Sequence, residues 1–493
     1  MRRRLSAARA AAAGIGALLL AAAAPPAEQP AWSPQPWLED LDQIGAALHA
    51  EYANLEWLEG EREVDVDALL ARVRARLQAA GSDAEAVLLL NRLIERIGDG
   101  HVALQWPSRP RPGGAAPASP APAVPATAAS FCARLGYDAR KSPPGVARAL
   151  PGYAPVGPQD VLPSGIVRAG GETVGIVRIG VFDPHGSPSL CAEAVAALKI
   201  PTDGPCDEAC DDHVLTYAYR RLTAALDDRL TRLRARGAGT VAVDLTGNGG
   251  GSEWAEAAAR MFSRRPLLSE RMGFVRGEHW TRQWGELAQR LRDFAAEAGP
   301  TDRARLLGWA AEAEAARAEA ARNCSAAAPC PRIGRAAFTA GLVGRAPAGA
   351  FAGKPWAPYV FSPAQYPYRD GAWQGPVLVL VDQETWSAAE EFAAVLQDNR
   401  AAVIVGARTG GAGCGHTYGG TPTRLKNSGA VLEVPDCVRF RADGSNEVRG
   451  VVPDVLVGWR ASDGLALRAS LLGPALAPAV AAARRLYASE KGR

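Results

Sequence analysis

The chain has 493 residues, of which 48% are apolar and 22% are charged, so it can bury the cores of two or three folded domains. Its formal net charge is only +3, and no basic run follows the first few residues. This balance argues against nucleic acid or an anionic membrane surface as a partner.

The N-terminal segment has the layout of a secretory signal peptide, which we place at residues 1–27. Arg2, Arg3 and Arg4 form a charged start, a short apolar stretch follows, and small residues suit signal peptidase cleavage. A transmembrane anchor is the alternative, but the stretch is shorter than the roughly 20 residues that span a bilayer. We therefore expect export to the periplasm or beyond, without stable membrane insertion after cleavage.

Eight cysteines, an even number, are typical of a protein from an oxidising compartment. One plausible pairing joins Cys132 with Cys191, Cys206 with Cys210, Cys324 with Cys330, and Cys414 with Cys437. Zinc bound by Cys206, Cys210 and His213 is an alternative that lacks an evident fourth ligand. We expect neither a metal nor a cofactor.

Periodicity divides the rest of the chain into four parts. Residues 28–108 have helical spacing of apolar residues, and 109–130 form a Pro/Ala-rich linker. Residues 131–460 alternate short apolar strands with helices, which predicts an α/β core with a parallel or mixed sheet. A helical insertion is expected near 282–345, and a C-terminal helix within 461–493.

The first strand-to-helix junction that could carry chemistry is the sequence VAVDLTGNGGGSEW. Gly247, Gly249, Gly250 and Gly251 surround Asn248, and four glycines exceed the need of an ordinary tight turn. The following helix aims unpaired N–H groups at the same place, which suits the oxyanion of acyl transfer or a phosphate.

The second junction is VLVLVDQETWSAAEEFA, where Ser387 stands between a buried strand and a helix. A hydroxyl in this position feels the field of the helix N-terminus, and the N–H of Ala388 can point at a reacting oxygen. Ser387 and Glu390 also form the pattern of a capping box, so a purely structural role remains open.

These segments, in the order GDGHVAL, VDLTGNGGG, VLVDQETWSAAEEFA, AVIVGARTGG and EVRGVVPDV, resemble the C-terminal processing (tail-specific) serine peptidases. The resemblance extends from about residue 38 to 457. It implies an α/β fold with a ClpP/crotonase-like catalytic core and a helical N-terminal domain. It also implies a serine endopeptidase that acts on proteins or peptides.

The family has two catalytic styles. One uses a Ser-Lys pair, but Ala412 stands at the lysine position of the segment Thr409 to Gly413. The chain is more similar to the other branch, which includes the tricorn core protease and takes a histidine from the N-terminal region. His101 matches that base and Glu447 matches a further carboxylate that helps to orient the site. Gly100 departs from the serine that relatives often place before the histidine.

The resulting hypothesis has Ser387 as nucleophile, His101 as base and Glu447 as supporting acid. The N–H groups of Gly249 or Gly250 and of Ala388 would form the oxyanion hole. His416, in a Gly-rich loop, is a rival base, and Glu447 could instead be a solvated loop residue. A catalytically inactive peptide- or lipophile-binding protein on the same fold is the alternative function. The oligomeric state stays open.

Overall fold

The computed structural model describes residues 32–107, 127–322, 331–415 and 422–491. The predicted signal peptide, most of the predicted linker, the pair Cys324 and Cys330, and His416 lie outside these residues.

The N-terminal region is a group of four helices: α1 (Gln35–Glu51), α2 (Leu55–Gly60), α3 (Val66–Ala79) and α4 (Asp83–Ile97). Asp65 and Ser82 cap α3 and α4 by accepting a backbone N–H, as expected of short polar residues at a helix start. The apolar faces predicted from helical spacing pack together in one buried cluster. Gly98, in the left-handed conformation, ends α4 and turns the chain toward His101.

A seven-stranded mixed sheet forms the centre of the molecule. In spatial order its strands are β13 (Val455–Leu456), β9 (Val403–Gly406), β8 (Val377–Val381), β5 (Thr240–Asp244), β4 (Glu172–Arg178), β3 (Ser164–Ala169) and β2 (Ala154–Pro155). The five strands from β13 to β4 pair in parallel, whereas β3 and β2 are antiparallel additions. The apolar runs VAVDL, VLVLVD and AVIVG of the segments quoted above form β5, β8 and β9.

Helices cover both faces of this sheet. One face carries α5 (Ala128–Arg134), α6 (Pro188–Leu198), α7 (Glu208–Ala235), α8 (Trp254–Arg260) and α11 (Ala388–Asp398). The other face packs against α12 (Leu465–Lys491). Since side chains alternate along a strand, Val241 and Val243 meet the first layer and Ala242 meets the second. Burial on both faces explains why these strands are apolar throughout.

Two small sheets connect the remaining parts. The strand β1 (Ala103–Gln105), just after His101, pairs with β11 (Val431–Glu433), which also pairs with β10 (Thr423–Arg424). The second sheet contains β6 (Arg271–Val275), flanked by β7 (Ile333–Phe338) and β12 (Cys437–Phe440). The helices α9 (Glu278–Glu297) and α10 (Pro300–Ala320) lie between β6 and β7 in the chain, where a helical insertion was expected.

The structure contains three of the four predicted disulfides: Cys132–Cys191, Cys206–Cys210 and Cys414–Cys437. The zinc alternative at Cys206, Cys210 and His213 is therefore wrong, because both of its thiols are bonded to each other. The fourth predicted pair lies outside the described residues.

The C-terminal helix α12 is long and apolar enough to cross a membrane by length and composition. Its Leu472, Leu476, Ala479 and Val480 are buried against the central sheet. Those contacts account for its apolar character as the helix of a folded core.

Candidate functional site

The parallel pairing of β5 with β8 brings the two chemically interesting turns together. Both strands end at the same edge of the sheet, and Asp244 lies opposite Leu380. Beyond that edge, the Trp386 N–H donates to the carbonyl of Asn248 at 2.9 Å, and the Gly247 N–H donates to Oδ1 of Asp382 at 2.9 Å. The Gly-rich turn (residues 246–251) is therefore held to the turn of residues 382–387, which we call the nucleophile turn after the role predicted for Ser387, by one backbone–backbone and one backbone–side-chain hydrogen bond.

Gly250 makes the closest approach between these turns. A Cβ atom added there would lie 2.7 Å from Cβ of Ser387 and 3.2 Å from the nitrogen of Ala388, and its φ is +111°. Only glycine fits such a contact without displacing the serine. The Gly250 N–H donates to Oδ1 of Asn248 at 2.8 Å. By contrast, the N–H groups of Gly249 and Ala388 have no hydrogen-bond acceptor within the described part of the chain.

Ser387 has a backbone conformation that the sequence did not predict. Its φ is +55° and its ψ is −120°, a region that residues with a side chain rarely adopt. Strain of this kind is tolerated only where neighbouring contacts hold it in place, and it is frequent at reactive sites. Here the side chain is half-buried, so solvent or a substrate can reach it.

The predicted capping box at this helix is present, since the Ser387 N–H donates to Oε2 of Glu390 at 3.0 Å. A helix cap and a nucleophile are compatible here, because a capping serine uses its oxygen only as an acceptor and keeps its hydroxyl hydrogen for a base.

His101 is positioned by the turn that follows α4. Oδ1 of Asp99 accepts the His101 N–H at 3.0 Å, and its Oδ2 accepts from the Tyr52 hydroxyl at 3.0 Å and the Asn54 amide at 2.9 Å. Burial raises the pKa of Asp99 from 3.8 to about 6, while these three hydrogen bonds oppose the rise. The acidic residue of the GDGH segment thus fixes the turn that carries the histidine, just before β1.

The ring of His101 lies against the loop formed by residues 409–415. Its Nδ1 hydrogen-bonds to the carbonyl oxygen of Ala412. A Cβ atom added at Gly415 would lie 3.3 Å from Nε2 of His101. A carbonyl oxygen can only accept a hydrogen bond, so Nδ1 must donate and is the protonated nitrogen of the neutral ring. Nε2 is then the basic nitrogen.

The two departures from the family patterns touch each other. A Cβ atom added at Gly100 would lie 3.1 Å from Cβ of Ala412 and 3.8 Å from the ring of Trp386. Gly100 therefore lies beside Ala412, which matches the lysine position of the Ser-Lys branch, and beside Trp386, the residue before Ser387. This places the His101 segment and the nucleophile turn at one cleft.

Glu447 is buried, with 1% of its surface exposed, so the expectation of a solvated loop residue is wrong. Its Oε2 accepts a hydrogen bond from Nη1 of Arg439 at 3.2 Å. Burial raises the pKa of Glu447, and a side-chain hydrogen bond with Glu270 opposes this rise. The same Arg439 nitrogen donates to the carbonyl of Ser387 at 3.1 Å. Glu447 is thus connected to the nucleophile turn through Arg439.

The surroundings of Arg439 are strongly acidic. Oε2 of Glu391 lies 3.5 Å from its Nη1, and Glu270 is buried nearby. Burial raises the pKa of Glu447, Glu391 and Glu270, and the positive charge of Arg439 opposes this rise. Burial by itself lowers the pKa of Arg439, but the three carboxylates hold it above its usual value.

Sequence reasoning missed three residues that hold the site together: Asp99, Glu390 and Arg439. Asp99 stands inside a quoted motif, and Glu390 was noticed only as a helix cap. Arg439 gave no signal, because its partners Ser387 and Glu391 are about fifty residues away in the chain. Within the described residues, no group of three or more His, Cys, Asp or Glu is suited to hold a metal ion.

The chain is similar to known proteins in sequence profile and in fold. The sequence profile of peptidase family S41 matches residues 213–457. Mature CPAF is similar in structure, with a TM-score of 0.58 and 15% identity over 92% of this chain and 98% of that chain. Mature CPAF complexed with lactacystin gives a TM-score of 0.56 and 16% identity over 92% and 99%. At such identities these structures show the fold, which is α/β with a ClpP/crotonase-like core. No curated protein is significantly similar in sequence.

The buried Asp99 predicts a pH dependence of stability. With its pKa at about 6 instead of 3.8, the folded chain keeps this proton at pH values where the unfolded chain has released it. The contribution of Asp99 to the free energy of unfolding should therefore fall as pH rises through this window, by up to about 1.4 kcal/mol per pH unit. Urea unfolding of the wild type and Asp99→Asn at pH 4 to 7 measures the difference. Parallel plots of unfolding free energy against pH for the two proteins would contradict the prediction. Asp160→Asn, at an exposed position, serves as control.

Proposed function

Because the chain belongs to peptidase family S41 and is a serine-type peptidase, we propose that Ser387 is its nucleophile and that His101 is the general base. The observation that carries this proposal is the common cleft. The Gly-rich turn packs on Ser387, while the segment bearing His101 packs on Trp386 and on the loop around Ala412. The substrates are proteins or peptides.

In the proposed reaction, Nε2 of His101 takes the hydroxyl proton of Ser387 as its oxygen attacks the peptide carbonyl. The imidazolium then gives this proton to the leaving amine, which separates and leaves an acyl-enzyme. Water, deprotonated by the same imidazole, attacks the ester and releases the acid and the free serine. The Ala412 carbonyl supports this sequence by holding the hydrogen on Nδ1.

The N–H groups of Ala388 and Gly249 are the favoured donors to the oxyanion, since neither has an acceptor within the described residues. The Gly250 N–H is occupied by Asn248, so we assign Gly250 mainly the close approach to Ser387. Ala388 also begins α11, whose N-terminal field favours the developing negative charge.

Glu447 supports the site from the side of the nucleophile. Arg439 donates both to Glu447 and to the carbonyl of Ser387. Glu447 therefore positions the Arg439 guanidinium, which in turn stabilises the strained backbone of Ser387. In this proposal, a His base replaces the Ser-Lys pair because Ala412 offers no amine.

The first test is reaction with a fluorophosphonate probe, which modifies activated serines. We expect the wild type to be labelled, Ser387→Ala to show no labelling, and His101→Ala to lose about 100-fold or more in labelling rate, as removal of a general base commonly does. The exposed His49→Ala is a matched control that should label normally. Loss of labelling in His416→Ala with retention in His101→Ala would identify the other histidine as the base. A wild type that resists the probe would favour the inactive binding protein.

The packing of Gly250 gives a second test. In Gly250→Ala the new methyl group lies within 2.7 Å of Cβ of Ser387, so the nucleophile must shift. We expect labelling to fall about 100-fold, since a displacement of about 1 Å at reacting atoms costs that much. Gly152→Ala also places a methyl group on a backbone with positive φ, +75°, but meets no atom within 4 Å, so it is a control without the steric contact. Equal labelling of both variants would contradict the proposed contact.

We also propose that the chain is exported. Support comes from the charged and apolar N-terminal segment together with three disulfides in the folded part. Expressed in its full length in a bacterium with an outer membrane, the protein should be recovered outside the cytoplasm. Its N-terminus, read by mass spectrometry, should begin near residue 28. An intact N-terminus on cytoplasmic protein would contradict export.

A further inference from the structure

The carboxylate of Glu390 accepts four hydrogen bonds from two segments of the site, the turn of Ser387 and the loop of residues 409–412. Its Oε2 accepts the N–H of Ser387 at 3.0 Å and that of Ala412 at 2.8 Å. Its Oε1 accepts the N–H of Gly411 at 2.8 Å and the hydroxyl of Thr409 at 2.5 Å. The side chain is completely buried.

A helix cap alone does not account for this arrangement. In a capping box the acid accepts one hydrogen bond, from the backbone N–H of the cap residue. The other three donors come from a loop 19 to 22 residues further along the chain. Burial of an acid is costly unless its hydrogen-bonding capacity is used, and here both oxygens have two donors each.

The two ends of this network are the two proposed reacting groups. At one end, Glu390 holds the backbone of Ser387 in its strained conformation, with φ at +55°. At the other end, it holds the N–H of Ala412, whose carbonyl hydrogen-bonds to Nδ1 of His101. One side chain thus sets the position of the hydroxyl and of the imidazole.

We propose that Glu390 is a positioning residue for proton transfer. It holds the nucleophile turn and the loop that orients His101 at a fixed position relative to each other. This inference rests on the proposed roles of Ser387 and His101. Burial raises the pKa of Glu390 to about 7, helped by the nearby charge of Glu447, while its hydrogen bonds oppose the rise. Because all four of its partners are donors, the carboxylate is suited to the site in a way that an amide is not.

Glu390→Gln is the primary test. The amide has nearly the same shape, but its NH2 group must face N–H or O–H donors, so at least one bond to the turn or the loop is lost. With the fluorophosphonate probe, we expect the maximal inactivation rate to fall about 10- to 100-fold, since small misplacements of reacting groups have effects of this size. The probe concentration at half-maximal rate should change less than about 2-fold. Circular dichroism and gel filtration at the assay temperature establish that the variant is folded.

Glu85→Gln is the matched control. Glu85 occupies the same place in α4, where its Oε2 accepts the N–H of Gly81 at 3.0 Å, far along the chain from the site. The Glu85→Gln variant should keep the wild-type inactivation rate. A folded Glu390→Gln protein that also keeps the wild-type rate overturns the proposal.

A second pair of variants covers the case in which Glu390→Gln fails to fold. Thr409→Val removes the hydroxyl that donates to Glu390, whereas Thr409→Ser keeps it. The inactivation rate should fall in the valine variant and be retained to a much greater degree in the serine variant; equal rates overturn the proposal. If the wild type itself resists the probe, the proposed function has failed. A reactive wild type with unaffected Glu390 and Thr409 variants means that only the positioning role has failed.

Discussion

The parallel pairing of β5 with β8 is the constraint on which the site depends. Two neighbouring strands in parallel end at the same edge, so the chain must leave both at the same place. The turn after β5 is rich in glycine and the turn after β8 contains Ser387. Their close approach then follows from the register of the strands, and the hydrogen bond from Trp386 to Asn248 fixes it. A change that shifted either strand would separate Ser387 from the Gly-rich turn.

Around this edge, three distant segments complete the site, each held by buried polar groups. The N-terminal helices supply His101 through the turn anchored by Asp99. The loop after β9 supplies the carbonyl of Ala412, and β12 supplies Arg439. These attachments use carboxylates that are almost entirely buried, so the loss of a donor to any of them is costly. The site is therefore an assembly in which elements from both ends of the chain share one polar network.

The features predicted correctly are those whose residue pattern lies within a short stretch of the chain. Apolar runs marked β5, β8 and β9, and three of the cysteine pairs were correctly matched. The Gly-rich turn and Ser387 were recognised because their strand-turn-helix context lies within about twenty residues. One local signal was overlooked: Asp207 caps α7 at its start by accepting the N–H of Cys210.

What the sequence could not supply were contacts between segments far apart in the chain. Glu447 reads as a polar loop residue until β12 brings Arg439 against it. Likewise, the positive φ of Ser387 results from tertiary contacts and has no local residue pattern. The contact of Gly100 with Ala412 has a similar origin and an evolutionary consequence. A long side chain at either position would need space that the other backbone now occupies. Substitutions there should be tolerated only in compensating pairs, so a change from an imidazole to an amine as base would require remodelling both segments at once.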